Sequence, residues 1–259
     1  MFKLIRIVVL LTILLVVAVN TLMDNSRATD WERPLYVSIY PLLAAGNNNA
    51  GSLRFVQQLK PRTFKPVEQY FVRELKRYGK NLEQPVVITL HSVVQSQPPV
   101  LENAAGRLAV GIWSLKMRYW AWRAAGSVEG VAGDVRIFVS YHPAGGQDLL
   151  ERSTALRKGY IGLVNARASR SSNAKNNIII VHELLHTLGA SDKYNLSSGQ
   201  PLVPQGLADP QRKPLYPQKV AEIMAAQIPL SSSRWRSPAN IGQTMVGSET
   251  AAEVGFLYD

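Results

Sequence analysis

The chain has 259 residues, 46% of them hydrophobic and 18% charged, a composition that excludes an intrinsically disordered protein and leaves enough apolar material for a core. Its 29 lysines and arginines stand against 18 aspartates and glutamates, a formal net charge of +11. Cysteine is absent, which excludes a disulfide framework and a thiolate metal site, so any metal must be held by His, Asp or Glu.

After Lys3 and Arg6 the sequence runs apolar from Ile7 to Val19, Thr12 apart, and Leu4 to Met23 carries one charge, Arg6. A stretch of about 20 such residues can span a bilayer. Val17-Ala18-Val19 puts β-branched residues where signal-peptide cleavage needs small ones. Residues 1–23 therefore read as an uncleaved signal-anchor and transmembrane helix. Lys3 and Arg6 hold the N-terminus in the cytoplasm and send the rest across. The expected location is the cell membrane, single-pass, with the remaining chain extracytoplasmic (periplasmic in a Gram-negative cell). Setting Lys3 and Arg6 aside leaves +9 on the exported part. That surplus favours an anionic envelope surface as a partner, and no nucleic acid is expected there.

Residues 24–34 are polar and read as a juxtamembrane linker, followed by one domain over 35–259. Leu35 to Tyr40 alternates and is rich in β-formers, which predicts a first strand. Asn47 to Gly51 reads as a loop. Pro66 to Tyr78 predicts a helix, since Val67, Tyr70, Phe71 and Leu75 share a face, with Pro66 in the first turn and Gly79 at the stop. Val86 to Leu90 is a second strand, broken off before Pro98-Pro99. Ala104 to Ala125 carries a helical stripe of Leu108, Ile112, Leu115 and Tyr119, widened by Trp113, Trp120 and Trp122. Tryptophans among Lys116, Arg118 and Arg123 also suit base stacking or a membrane-facing patch, but packing on the sheet is the expected use. Asp134 to His142 is a third strand with Val135, Ile137 and Val139 inward, and Tyr160 to Ala166 a fourth. Asn173 to Leu188 is the next helix. Beyond Asp192 the chain is rich in Pro, Gly and Ser, with a short helical piece around Lys219 to Gln227. The order describes an α+β fold, a mixed sheet with helices and then an irregular C-terminal part.

The chemistry concentrates in His182-Glu183-Leu184-Leu185-His186. Two histidines four apart on a helix share a face, and their ring nitrogens can reach one Zn²⁺ at about 2.0–2.1 Å. Glu183 lies beside the metal and can take a proton from water there. Ile178 to Val181 demands burial, and although such a run also suits a strand, Glu183 to Leu188 followed by Gly189 favours a helix ended by a left-handed glycine. Gly189 then turns the chain so that Asp192 returns towards the histidines. The remaining histidines, His91 and His142, read as structural or exposed.

His182 to Asp192 spells HExxHxxGxxD, which resembles the metzincin branch of zinc metallopeptidases and most of all its snapalysin-type variant with Asp as third ligand. The resemblance implies His182, His186 and Asp192 as zinc ligands and Glu183 as catalytic general base. It also implies a methionine turn beneath the metal, for which Met224 is the candidate. By the same analogy the fold is a metzincin-like mixed twisted sheet with a long active-site helix, and Tyr160 to Ala166 is the edge along which a peptide extends. Tyr194 and Tyr216 are candidates for a phenol donating to the oxyanion. If Asp192 is not a ligand, Glu222 is the fallback carboxylate. The expected function is a membrane-anchored zinc metalloendopeptidase acting on protein or peptide substrates. The alternatives are a non-catalytic zinc-binding relative that serves as a binding or assembly factor at the envelope, and an amide hydrolase acting on cell-wall peptides.

Overall fold

The computed structural model describes residues 28–257 apart from 48, 102–105, 146–152 and 158, together with Arg6, Leu11 and Thr12. The expected anchor over 1–23 thus falls almost wholly outside the described residues, and among those described no helix is long and apolar enough to cross a membrane.

Five strands form one mixed sheet: β1 (Leu35–Leu43), β2 (Val86–Leu90), β3 (Val135–His142), β4 (Thr154–Leu156) and β5 (Ile161–Arg167), in the order β2-β1-β3-β5-β4. The pairs β1–β2, β1–β3 and β3–β5 are parallel, and β4 alone runs antiparallel, against β5. Parallel neighbours need crossovers: β3 reaches β5 by way of β4, and helices supply the ones that lead into β2 and β3. These are α1 (Ala50–Gln57), α2 (Lys65–Arg77) and α3 (Arg107–Gly126), with α4 (Asn173–Leu188) following the sheet. The edge expected at Tyr160 to Ala166 is a correction: β4 covers that strand, so the sheet ends at Thr154–Leu156. Three residues carry too little pattern to announce a strand.

Period-two alternation assigns each strand residue to a face. Val37, Ile39, Val135 and Val139 pack with Val67, Phe71 and Leu75 of α2 and with Ile180, Val181 and Leu184 of α4. Tyr40, Leu42, Phe138 and Ile161 point the other way, onto α3. Each of these large side chains stabilises the fold by about 1.5–3 kcal/mol on full burial.

Helix α3 is not oriented as its stripe predicts. Its sheet-facing ridge is Met117, Ala121 and Ala124, flanked by Trp113 and Trp120, while Leu108, Ile112, Leu115, Tyr119 and Trp122 are exposed. Small alanines let the helix settle close onto Tyr40 and Phe138, and the two inner indoles donate to Pro99 O at 2.8 Å and Ser96 Oγ at 3.1 Å. The loop expected over Asn47 to Gly51 is also shorter than its sequence suggests. Asn49 caps α1, its Oδ1 accepting from Gly51 N at 2.8 Å and Ser52 N at 3.2 Å.

The stretch read as a linker is already folded at Trp31, which is buried and donates from Nε1 to Val254 O at 2.7 Å. Two buried carboxylates hold the C-terminal part, Glu74 to the sheet layer and Glu222 to itself. Glu74 of α2 accepts from Arg73, Arg77 and the backbone N–H of Val246. Glu222 ends β6 (Ala221–Glu222), which pairs with β7 (Thr244–Met245). The short helical piece expected around Lys219 to Gln227 is a single 3₁₀ turn, Ile223–Ala225, and Glu222 caps it by accepting from Ala225 N at 2.9 Å. The same carboxylate accepts from Gly247 N at 3.2 Å and from Thr250 Oγ1 at 2.8 Å, at the start of α5 (Ser248–Glu253). Burial pushes the Glu222 carboxyl up, against the hydrogen bonds that pull it down. Removing such a group orphans buried donors, at about 1–3 kcal/mol each. Glu222→Ala is therefore expected to lower the melting temperature by about 5–10 °C, by the usual scaling for a domain of this size, with Glu222→Gln recovering most of it. Thermal unfolding followed by circular dichroism checks both.

Candidate metal centre

Helix α4 carries the site because one side of it is held rigidly. Ile180, Val181, Leu184, Leu185 and Leu188 are all fully buried, so the helix can neither roll nor slide. The alternative of a strand over Ile178 to Val181 is thereby settled for the helix. Ser172 occupies the N-cap position, but its hydroxyl caps nothing. The first turn is instead tied down by Asn176, whose side chain exchanges two hydrogen bonds with the backbone of Arg167 at 3.1 and 2.9 Å. Gly162 of β5 brings the sheet close to the helix: a Cβ there would lie 3.8 Å from Glu183 Cβ and 2.7 Å from Ile137 Cδ1.

Gly189 ends the helix at φ 113° and ψ 3°. Its N–H donates to His186 O at 3.1 Å and Ala190 N–H to Leu185 O at 3.0 Å, a Schellman-type closure. Asp192 follows three residues later. Its neighbours on both sides are pinned: Ser191 N and Oγ donate to Glu253 at 3.0 and 2.6 Å, and Lys193 Nζ to the same carboxylate at 2.7 Å. Lys193 N also donates to Met224 O at 3.0 Å. Hydrogen bonds from Lys193 and Ser191 hold the Glu253 carboxyl below its usual range although burial alone would raise it. Glu253 is 61 residues beyond Asp192, and nothing local in the sequence marks it as a support for this turn.

Three ligand-type atoms converge here. His182 Nε2 and His186 Nε2 are 3.0 Å apart, and Asp192 Oδ1 lies 3.2 Å from the first and 3.1 Å from the second. Ligands of a tetrahedral ion at 2.0–2.1 Å stand about 3.3 Å apart, so one ion fits this triangle with little adjustment. Both imidazoles are pre-aimed. His182 Nδ1 lies 3.0 Å from Ile223 O and His186 Nδ1 lies 2.7 Å from Ala190 O. A carbonyl can only accept, so Nδ1 carries the hydrogen and Nε2 keeps the lone pair a metal needs. Among the described residues this is the one cluster of three that could hold an ion. Burial would raise the Asp192 carboxyl, but hydrogen bonds and charge from the two histidines outweigh it and hold the carboxyl far below its usual range.

Glu183 stands beside the triangle, and its Oε2 is buried without a hydrogen-bond partner. Burial pushes its carboxyl up, opposed by the two histidines and reinforced by Asp192. A buried carboxylate oxygen left unpaired is costly and calls for a partner from outside the chain. Glu183 lines a cleft of about 620 Å³ together with Ser153, Thr154, Ala155, Arg157, Tyr194, Leu196 and the other three site residues. Among the sequence candidates, Tyr194 lines this cleft with its ring 6.4 Å from that of His182, whereas Tyr216 does not. Met224 is fully buried in the turn whose Ile223 carbonyl orients His182. Glu222 is not at the site, because its oxygens serve Ala225, Gly247 and Thr250. His91 is structural, 3.0 Å from Ser38 Oγ and stacked on Tyr40, and His142 lies 3.0 Å from Asn165 Oδ1. Arg157 and the β4 residues of the cleft carry no motif and went unmarked in the sequence.

Gly189 is the residue to test, since its positive φ strains a β-branched side chain, and an added Cβ would lie 2.7 Å from Arg157 Cζ and make that side chain shift. Gly189→Val should open the turn, displace Asp192 and weaken metal affinity at least tenfold while the far-ultraviolet spectrum stays native. Titration with Zn²⁺ against a competing chelator reads the difference.

The sequence matches no protein-family model, and no curated protein matches it.

Proposed function

We propose that this chain is a zinc metalloendopeptidase of metzincin type, nearest the snapalysin-like pattern, held by residues 4–23 at the extracytoplasmic face of a cell membrane. The observation that carries the reading is the triangle of His182, His186 and Asp192 beside the unpartnered Glu183 oxygen in an open cleft. The turn bearing Met224 directly under His182, and the antiparallel edge strand β4 along the cleft, support it further.

In this reading His182, His186 and Asp192 hold the ion, with Nδ1 of each imidazole donating to a carbonyl so that the ring cannot swing away. What such an ion supplies when bound is Lewis acidity, which brings the pKa of water at the site to about 7. The free edge of β4 offers backbone donors and acceptors to an extended peptide and lays its carbonyl across the cleft floor. Glu183 takes the proton of the attacking water and returns it to the amide nitrogen as the C–N bond breaks, so that both halves of the water are accounted for. Tyr194 is placed to donate towards the oxygen on which negative charge develops.

Zinc content and turnover separate the roles. His182→Ala and His186→Ala should lose stoichiometric zinc and all activity against a peptide library. Asp192→Ala should weaken zinc binding and abolish cleavage, while Asp192→His keeps the metal. Glu183→Gln should retain zinc yet lower kcat by about 10²–10⁴, the usual range for a general base. Equal cleavage by wild type and Glu183→Gln, measured by mass spectrometry of the digest, would take the general-base role from Glu183, and no cleavage by the zinc-loaded wild type would reduce the chain to a metal-binding envelope factor.

A further inference from the structure

Helix α3 has two apolar faces, and the larger side chains are on the outer one. Leu108 (85% exposed), Ile112 (55%), Leu115 (65%), Tyr119 (62%) and Trp122 (65%) recur at spacings of four and three. At 3.6 residues per turn they fall within an arc of about 80°, directly opposite the buried ridge of Met117, Ala121 and Ala124. Val100 and Leu101, in the segment that leads into the helix, are exposed as well.

The charges on the helix are all of one sign. Arg107–Gly126 contains Arg107, Lys116, Arg118 and Arg123 and no acidic residue. Lys116 and Arg123 border the apolar arc on one side and Arg118 on the other. In a pairing of two copies through this stripe they would take the positions that flank a coiled-coil seam, and with no carboxylate on the helix they would face only like charge. An anionic bilayer surface instead accepts the apolar arc about 5–10 Å below its headgroups and pairs with the cations at its rim, with Trp and Tyr at the boundary.

The start of the domain points to the same surface. Only residues 24–27 separate the apolar N-terminal run from Ala28, a reach of at most about 18 Å between Met23 and Ala28. Ala28, Trp31, Arg33 and Pro34 line one cavity with Gly159, and a Cβ at Gly159 would lie 3.7 Å from Arg118 Nε of α3. We infer that the outer face of α3 is a membrane-docking surface for anionic phospholipid, lying flat in the headgroup region. This goes beyond the proposed activity and does not depend on it.

The absence of cysteine makes single-cysteine labelling of the full chain direct. Ile112→Cys, Leu115→Cys and the exposed control Ser232→Cys are each spin-labelled and reconstituted, one set in phosphatidylcholine vesicles and one in vesicles with about 30% phosphatidylglycerol. In the anionic vesicles, labels at 112 and 115 should gain oxygen collisions and lose contact with an aqueous nickel relaxant at least threefold relative to position 232. The pair Lys116→Glu and Arg123→Glu should reverse this, as should omission of the anionic lipid. Labels at 112 and 115 as wet as the control would overturn the proposal. So would protection that ignores lipid charge: with spin–spin broadening it shows a second copy on this face, without broadening the chain's own apolar N-terminal run.

Discussion

Each imidazole of the His182–His186 pair can aim only one ring nitrogen at a common point, and what aims it is a carbonyl behind the other nitrogen. Ala190 O and Ile223 O perform that task, at 2.7 and 3.0 Å. The first comes from the glycine turn that ends the helix, the second from a turn 41 residues away from His182. The irregular C-terminal part is therefore a structural component of the site. Its short pairing β6–β7, the Glu222 clasp and the Glu253 clamp on Ser191 and Lys193 fix where two ring nitrogens and one carboxylate oxygen meet.

The support is organised so that the buried carboxylates that position other groups are satisfied, and the one to which the proposed chemistry falls is not. Glu74 and Glu222 are completely buried, and each accepts from several donors. Glu183 on α4, buried but less completely, is left with an oxygen that nothing among the described residues satisfies. Low local polarity around such a group strengthens its interaction with whatever enters the cleft. A peptidase reading uses that asymmetry directly, with rigid neighbours and one reactive carboxylate.

On the opposite side of the sheet the balance differs. Among the described residues a single helix covers that face, and a single helix has a back. The alanine ridge of α3 satisfies the sheet, while leucine, isoleucine, tyrosine and tryptophan remain on the outside among cations. The proposed bilayer contact places that back against lipid and leaves α4 with its cleft on the other face of the sheet, where a substrate could approach.

Much of this was legible in the sequence. The strands at Leu35, Val86, Asp134 and Tyr160, the helix over Pro66 to Tyr78, the helix under the histidines and its stop at Gly189 all follow from local rules of period, cap and left-handed glycine, which act within a few residues. So does the return of Asp192, since a tight turn leaves few places for the third residue after it. Tertiary structure alone decided what depends on distant partners. The edge strand β4 exists because β5 offers a ladder, not because three residues demand one. Periodicity put the apolar face of α3 at Leu108, Ile112, Leu115 and Tyr119, yet the sheet took Met117, Ala121 and Ala124 with Trp113 and Trp120, because fit against Tyr40 and Phe138 depends on shape and not on period. Glu222 carries the signature of a possible ligand, a carboxylate near the motif, and only the three donors gathered around it from Ala225, Gly247 and Thr250 show that its lone pairs are already taken. Hydrogen-bond satisfaction is a property of the assembled chain, so the sequence by itself determined which residues could bind a metal, and the fold decided which of them are free to do so.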